Sequence, residues 1–303
     1  MPGSAEASVG VVEVASADTA ADALAFLVAA SEVVGAPVVD ESEQVALGQA
    51  RDKRPVKGWR GLVATTEGEI VGYAGVRGGG DEAVADLAVD RLRPGAAEAS
   101  RVLLAALVDH APVTVWMRDV DQGDVDVAAE AGFAVVRRLF VMGRGVADYA
   151  ADPDPPGGIW LRSFRPGEDD DAVVGLLARA YEGTPDAAWE PARFAALQER
   201  DWFDAQDLVV ASGRDDDVAG IHWTKRRDAD TGEVYHLVVD PDCQGLGLGR
   251  ALLRAGLVHL RRRGRTDVIL WVDEANSEAV RLYASEGFVR RWEDVAFSRR
   301  PAA

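Results

Sequence analysis

Cysteine is almost absent from this sequence of 303 residues, since Cys243 is the only one. A single cysteine excludes an intramolecular disulfide and any zinc or iron–sulfur site built from cysteines. The four histidines show no metal-ligand spacing, so we expect no bound metal. No stretch of about 18 apolar residues occurs, which argues against a membrane-spanning helix. The N-terminus has no signal-peptide pattern, so we expect a cytoplasmic protein.

Basic residues are also scarce. The chain has 33 Lys and Arg against 51 Asp and Glu, which gives a formal net charge of −18. Such a chain repels nucleic-acid phosphates and anionic membrane surfaces, so we expect neither as a partner. Hydrophobic residues make up 48% and charged residues 28%, the composition of a globular protein with an ample core. The length favours two domains, and we expect a monomer.

The middle of the chain contains a break in the sequence pattern. Residues 148–158, DYAADPDPPGG, contain three prolines and end in two glycines, which continue neither a helix nor a central strand. The two sides resemble each other at a shift of about 150 residues, as expected of a tandem duplication. We therefore predict domains at 1–148 and 159–303 with a linker at 149–158. The matching pairs are Gly72 with Gly220, Asp90 with Asp240, Trp116 with Trp271 and Phe133 with Phe288.

Each half has the same order of predicted elements. A helical segment comes first, two strands follow, and a third strand leads into a second helix. In the second half this helix begins near Arg250, and Leu252, Leu253, Leu257 and Leu260 recur at helical spacing. A strand, a helix and a final strand close each half. The sequence therefore predicts a mixed α/β domain that occurs twice.

A glycine-rich loop, residues 244–249, connects an apolar strand to this leucine-rich helix. Glycines let backbone N–H groups approach a ligand, and the helix contributes its positive N-terminal end. Such a loop binds a pyrophosphate without many lysines, which suits an acidic protein. The dinucleotide fingerprint fails because Arg250 stands where its last glycine belongs, and no Gly-Lys-Ser/Thr follows for a P-loop.

The loop belongs to a larger set of motifs. Gln244-x-x-Gly247-x-Gly249 resembles the phosphate-binding motif of GNAT acyltransferases, and Asn276-x-x-Ala279 with Tyr283-x-x-x-Gly287-Phe288 resembles their closing motif. The resemblance implies two tandem GNAT domains, each a mixed, mostly antiparallel sheet flanked by helices. It also implies an enzyme that uses acetyl-CoA as acetyl donor and needs no metal.

The resemblance extends to a narrower family. HWTK at 222–225 and GEVY at 232–235, in a tandem chain of this length, are similar to the mycothiol synthases. This implies transfer of acetyl from acetyl-CoA to the cysteinyl amine of desacetylmycothiol, a small thiol-sugar, as the last step of mycothiol biosynthesis. The amine would attack directly in a ternary complex. Two alternatives stay open: another small-amine or protein N-acetyltransferase of this fold, and a non-catalytic acyl-CoA-binding regulator.

The same resemblance assigns roles to individual residues. It makes Tyr283 the proton donor to the CoA sulfur and Glu233 either the base or the anchor of the amine. Glu43, Asp186, Lys225, Glu233 and Trp271 would contact the acceptor, with Trp271 in the place of a tyrosine in the family. The expected cofactor contacts in the second half are Leu237, Val238, Val239, Gln244, Gly245, Leu246, Gly247, Leu248, Gly249, Arg250, Asn276, Ser277, Glu278, Ala279, Val280 and Arg281.

The first half has lost the equivalent motif. Its loop, residues 90–98, keeps one glycine, and Pro94 removes a backbone N–H that a phosphate would need. Ala128 replaces Tyr283, and Ala83 replaces Glu233. We therefore expect this half to form a non-catalytic wall of the substrate cleft. The resemblance still makes Leu87, Ala88 and Val89 possible contacts for a second acetyl-CoA.

Overall fold

The structure is a computed structural model that describes residues 9–79, 83–110, 112–184, 187–214 and 216–299. The chain forms two compact units. The first unit extends to Phe140 and also includes Asp273–Ala275 and the residues from Trp292 onward. The second unit comprises Val141–Val272 and Asn276–Arg291.

The first unit is built around a sheet in which, over the described residues, only β4 and β5 pair in parallel. Its strand order is β1-β2-β3-β4-β5-β12. The elements are β1 (Gly10–Glu13), α1 (Ala17–Val34), α2 (Glu41–Arg51), β2 (Trp59–Thr66), β3 (Glu69–Arg77), β4 (Ala83–Val89), α3 (Ala96–Leu107), β5 (Val113–Met117), α4 (Gln122–Glu130), the first part of β6 (Ala134–Gly145) and most of β12 (Val289–Arg299).

The second unit repeats this arrangement, with strand order β11-β10-β9-β8-β7 and a parallel pairing of β10 with β11. Mixed, mostly antiparallel sheets with helices in both units confirm the predicted fold class. The elements are β7 (Trp160–Ser163), α5 (Asp170–Ala180), α6 (Pro191–Gln198), β8 (Leu208–Ser212), β9 (Val218–Arg226), β10 (Thr231–Val239), α7 (Leu248–Arg262), β11 (Asp267–Asp273) and α8 (Ser277–Ser285).

Equivalent glycines explain one block of the sequence repeat. A Cβ atom at Gly72 would lie 3.0 Å from Leu103 of α3, and one at Gly220 would lie 2.8 Å from Leu252 of α7. A Cβ atom would be crowded at either position, so a glycine in each strand leaves room for a leucine of the long helix. The buried face of α7 contains the four leucines expected from their spacing.

The last strand of the chain belongs to the first unit. Residues 295–299 of β12 pair antiparallel with β5, and Asp294 Oδ1 accepts a hydrogen bond of 3.1 Å from the Asp119 N–H. Residues 141–145 of β6 belong instead to the second unit, as do residues 149–158. The end of β6, from the first half of the sequence, thus belongs to the second unit, and most of β12, from the second half, belongs to the first unit. The division into domains at 149–158 stays a prediction.

Candidate active site

The pairing of β10 with β11 ends early. It covers Thr231 with Asp267, Gly232 with Val268 and Glu233 with Ile269, although both strands continue beyond these residues. Residues 234–239, which we call the open edge, pair with β9 on one side and have no register partner on β11. A free strand edge binds an extended ligand as if it were another strand. The predicted contacts Leu237, Val238 and Val239 lie on this edge.

A bulge interrupts β10 where the open edge begins. The register with β9 shifts between Val234 and His236, after the regular pairing of Glu233 with Lys225. Bulges bend a strand and re-aim its groups, and they are common beside active sites. The bulge and the early end of pairing together separate β10 from β11 a few residues before the predicted contacts Leu237, Val238 and Val239.

The glycine loop, residues 244–249, leads from the open edge into α7. Gly245 and Gly247 have φ values of 76° and 84°, a left-handed conformation that favours glycine, and Gly247 is the N-cap of α7. No hydrogen bond from the N–H groups of residues 245–249 to another described residue is found. These donors and the positive end of a 15-residue helix make a site for an anion such as a pyrophosphate.

Helix α8 lies beside the glycine loop. A Cβ atom at Gly249 would lie 3.7 Å from Leu282 of α8, and Arg250 Nη2 lies 3.2 Å from Ser285 Oγ. Asn276 caps α8, because its Oδ1 accepts a hydrogen bond of 3.1 Å from the Ala279 N–H. The predicted contacts Ser277, Glu278, Ala279, Val280 and Arg281 form the first turns of this helix, so the structure brings both cofactor motifs together.

Tyr283 is a buried phenol whose hydroxyl is available to a ligand. Its side chain is 7% exposed, and its ring packs edge-on against Phe288 at 5.7 Å between centroids. The hydroxyl has no hydrogen-bond partner among the residues that the structure describes. Burial raises the pKa of Tyr283 above its ordinary value of 10.0. The phenol therefore keeps its proton at neutral pH, as a donor must.

The predicted acceptor residues of the second unit meet at the head of the open edge. Glu233 is 6% exposed and lies directly across from Lys225 on β9. Lys225 Nζ lies over the rings of Trp202 and Tyr235, at 4.3 and 5.1 Å from their centroids. Paired residues on adjacent strands point to the same face, so Glu233 and Lys225 share one side of the sheet.

Arg227 connects Glu233 to Trp271. Its Nε lies 2.9 Å from Glu233 Oε2, and its guanidinium lies over the Trp271 ring, 4.6 Å from the centroid. The sequence analysis missed this residue. A usable signal was present, because Arg227 follows β9 by one residue and Glu233 lies near the start of β10, so a short hairpin places them side by side.

An aromatic cluster covers the same face of β9 and β10. Trp189, Trp202, Trp223, Tyr235 and His236 pack at 4.4–6.0 Å between ring centroids. The Tyr181 hydroxyl lies 2.9 Å from His236 Nδ1. Loss of hydration lowers the pKa of His236 to about 3, so its imidazole is neutral at physiological pH.

Glu43 lies in the interior of the first unit. Its side chain is 0% exposed and accepts hydrogen bonds from Trp59 Nε1 at 2.7 Å and from the Tyr73 hydroxyl at 2.5 Å. It also pairs with Arg77. These contacts give Glu43 a structural role, and its contact with the acceptor stays a prediction. Asp186, the other predicted acidic contact, lies outside the described residues.

Among the residues described, the first unit has no open edge of this length. Its β4 and β5 stay paired over five positions, from Ala83 with Val113 to Leu87 with Met117. Ala128, in the place of Tyr283, is buried in the core. The loss of catalysis in this half stays a prediction.

A cavity of about 190 Å³ lies at the ends of β4 and β5. Leu87, Ala88 and Val89 contribute to its lining, together with apolar residues of α1. Its volume is small beside that of typical ligand pockets, about 300–1,000 Å³. Binding of a second acetyl-CoA at these residues stays a prediction.

Within the described ranges, no helix is long and apolar enough to cross a membrane. The same ranges contain no cluster of three or more His, Cys, Asp or Glu side chains placed to hold a metal ion.

Comparison with known proteins agrees with this geometry. Residues 171–288 match the acetyltransferase (GNAT) family model. A GCN5-related N-acetyltransferase structure from Sphaerobacter thermophilus superposes with a TM-score of 0.71 at 22% identity, covering 97% of both chains. A tandem GNAT protein from the clavulanic acid biosynthesis pathway has a TM-score of 0.67 at 18% identity, covering 98% of this chain and 99% of that one.

Fold, open edge and glycine loop therefore define an acetyl-CoA-dependent N-acetyltransferase of the GNAT class. A mycothiol acetyltransferase from Actinosynnema mirum is 41% identical over 285 residues, which cover 90% of this chain and 93% of that protein. The chain belongs to the mycothiol acetyltransferase family.

Substitution of Gly247 by glutamate tests the glycine loop. The new carboxylate would stand at the N-terminus of α7, where it repels a pyrophosphate, so we expect KM for acetyl-CoA to rise about a hundredfold. Steady-state kinetics and calorimetric titration with acetyl-CoA measure the effect.

Gly95→Glu is the matched control. Gly95 is also a left-handed N-cap, with φ of 89° at the start of α3, so the variant carries the same backbone strain and the same charge. We expect its KM to stay within a few-fold of the native value. Equal losses in both variants, with both chains folded, would show that the glycine loop of the second unit has no special role.

Tyr283→Phe tests the proton donor, because it keeps the ring and its contact with Phe288 but removes the hydroxyl. We expect kcat to fall about a hundredfold, the lower range for general acid catalysis, with little change in acetyl-CoA affinity. Single-turnover kinetics measure the chemical step. An unchanged kcat with a higher KM for acetyl-CoA would make Tyr283 a binding contact only.

Proposed function

We propose that this chain transfers acetyl from acetyl-CoA to the cysteinyl amine of desacetylmycothiol, and that the second unit alone performs the chemistry. The observation that carries the proposal is the open edge of β10, which runs from Glu233 toward the glycine loop. A donor molecule with an extended amide-containing arm and a pyrophosphate fits this combination of strand edge and helix N-terminus. Membership in the mycothiol acetyltransferase family supports the identity of the acceptor.

The open edge and the glycine loop would hold acetyl-CoA. The Asp240 N–H donates to Ala219 O on the β9 side, so by the alternation of an antiparallel ladder the N–H and C=O groups of Leu237 and Val239 face the open side, where they are available for the amides of the pantetheine arm. The N–H groups of residues 245–249 are available for the pyrophosphate. Acetyl-CoA supplies an activated acyl group, and an N–H of the open edge would donate to its thioester oxygen, where negative charge develops.

The acceptor must present a neutral amine to this carbonyl. An α-amino group has a pKa of about 7.7–8.0, so near neutral pH it must lose a proton before it attacks. Glu233 lies immediately before the open edge. It would act on the amine either by accepting that proton or by holding the ammonium group. As the amine forms its bond to the carbonyl carbon, the carbon–sulfur bond breaks.

Tyr283 would then donate to the departing thiolate. A thiol has a pKa of about 8.5, below that of a buried phenol, so complete proton transfer from Tyr283 is uphill. The hydroxyl hydrogen-bonds to the negative charge that develops on the sulfur and passes its proton to it as CoA leaves, and the phenolate that results takes a proton from solvent, which drives the step to completion. This is the role expected of a general acid whose pKa burial has raised.

The sugar and inositol groups would bind over the aromatic face of β9 and β10. Lys225 is held there by Trp202 and Tyr235, and its ammonium is a donor for hydroxyl groups. Trp189 and Trp223 belong to the core, whereas Trp202 and Tyr235 are half-buried and are the rings of the cluster that a ligand would reach. Contacts with Glu43 and Asp186, the cytoplasmic location and the monomeric state stay predictions.

Turnover of a panel of amines tests the proposed function. We expect activity on desacetylmycothiol to exceed that on spermidine or on a peptide with a free N-terminus by at least about a hundredfold, because only desacetylmycothiol fills the aromatic site. Mass analysis of the product should show one added acetyl, and thiol detection should show that the sulfur stays free. Equal turnover of either competitor would contradict the acceptor and leave the acetyltransferase class intact.

A further inference from the structure

We propose that Arg227 is a positioning residue that fixes Glu233 as a carboxylate for the acceptor amine, and that Trp271 acts through Arg227 rather than on the substrate. This inference rests on the proposed function and concerns the same site. Side chains from the end of β9, from β10 and from β11 meet where the pairing of β10 with β11 stops.

Glu233 needs a cation beside it. Its carboxylate is 8% exposed, and a charged carboxylate removed from water is costly unless an opposite charge compensates it. Arg227 supplies that charge at 2.9 Å from Oε2. Lys225 is a second cation that faces Glu233 from β9, and its ammonium lies over the rings of Trp202 and Tyr235. On β11, the nearby charged residue Asp267 is paired with Arg291.

Arginine suits this position better than lysine. Its planar guanidinium can pair with a carboxylate at its edge while its face stacks on an aromatic ring, and it stays charged at every physiological pH. Arg227 lies against both groups. Its Nε forms an ion pair with Glu233 Oε2 at 2.9 Å, although the N–H direction is not that of a hydrogen bond, and its guanidinium lies 4.6 Å from the Trp271 ring centroid. The stack limits where the long side chain can go, and therefore where it holds the carboxylate.

This arrangement changes the role of Trp271. From the sequence, Trp271 is expected to contact the acceptor directly, in the place of a tyrosine in the family. In the structure one face of its ring is covered by Arg227. Trp271 thus supports Arg227, Arg227 holds Glu233, and Glu233 is the one member of the three that contacts the acceptor amine.

The test compares Arg227→Gln with Arg226→Gln in the full chain. Arg226 is the adjacent residue, more exposed at 43%, and its Nε lies 3.7 Å from Asp207, away from Glu233. We expect Arg227→Gln to raise KM for the amine about tenfold to a hundredfold, the effect of removing the partner of a buried charge, while KM for acetyl-CoA stays unchanged. Arg226→Gln should behave like the native chain.

The pH profile separates positioning from a merely structural role. Without Arg227 the buried carboxylate binds a proton more readily, so the pKa of Glu233 rises toward the assay range. Below that pKa Glu233 is neutral and no longer binds the amine. The acid limb of kcat/KM should therefore become steeper, because two groups rather than one must lose a proton.

Two further variants test the same contact. Arg227→Lys should restore the native pH profile in part, and Trp271→Leu should steepen the acid limb as Arg227→Gln does, but more weakly.

The outcomes are distinct. Turnover of desacetylmycothiol by the native chain tests the proposed function. The difference in KM and pH profile between Arg227→Gln and Arg226→Gln tests this inference, and it can be measured with any amine that the native chain acetylates. A native acid limb and a native KM for the amine in Arg227→Gln would overturn the inference. Equal increases of both KM values would do so as well, since they indicate a general disturbance of the second unit. If Arg227→Gln does not fold, Trp271→Leu decides by the same criteria.

Discussion

The parallel pairing between β10 and β11 stops after Glu233, and the rest of the site depends on this early stop. Had the ladder continued, those N–H and C=O groups of residues 234–239 that point away from β9 would bond to β11, and no strand edge would remain for a ligand. The stop also places Glu233 where the strands separate, with Arg227 beside it. The glycine loop and α8 then lie farther along, at the far end of the same edge.

The first unit shows what the same fold becomes without this feature. Gly72 and Gly220 place the long helix of each unit against its sheet in the same way, so the two scaffolds are equivalent. In the first unit, however, β4 and β5 pair as far as Leu87, and Glu43 is enclosed by Trp59, Tyr73 and Arg77. The two units thus differ in strand pairing although they share a fold, and a shared fold does not imply a shared activity.

Features that depend on a short sequence motif were predictable from the sequence. Features that depend on how neighbouring strands align with one another were not. The glycine loop and Tyr283 lie in short motifs, and the structure places them beside each other. The role of Arg227 depends on how β9, β10 and β11 align, which no single segment determines. The final strands, β6 and β12, have similar patterns of apolar and basic residues, so no feature of either segment decides which unit the strand joins. The burial of Glu43 depends on partners from β2 and β3, which come together only in the folded unit.

Amide hydrogen exchange with and without acetyl-CoA tests the central claim most directly, because it reports on the strand edge itself. If the open edge and the glycine loop bind the donor, exchange at residues 234–239 and 245–249 should slow markedly when acetyl-CoA is added. The slowing should disappear in Gly247→Glu for residues 245–249. Unchanged exchange at both segments under saturating acetyl-CoA, or slowing confined to residues 83–95 of the first unit, would contradict the account.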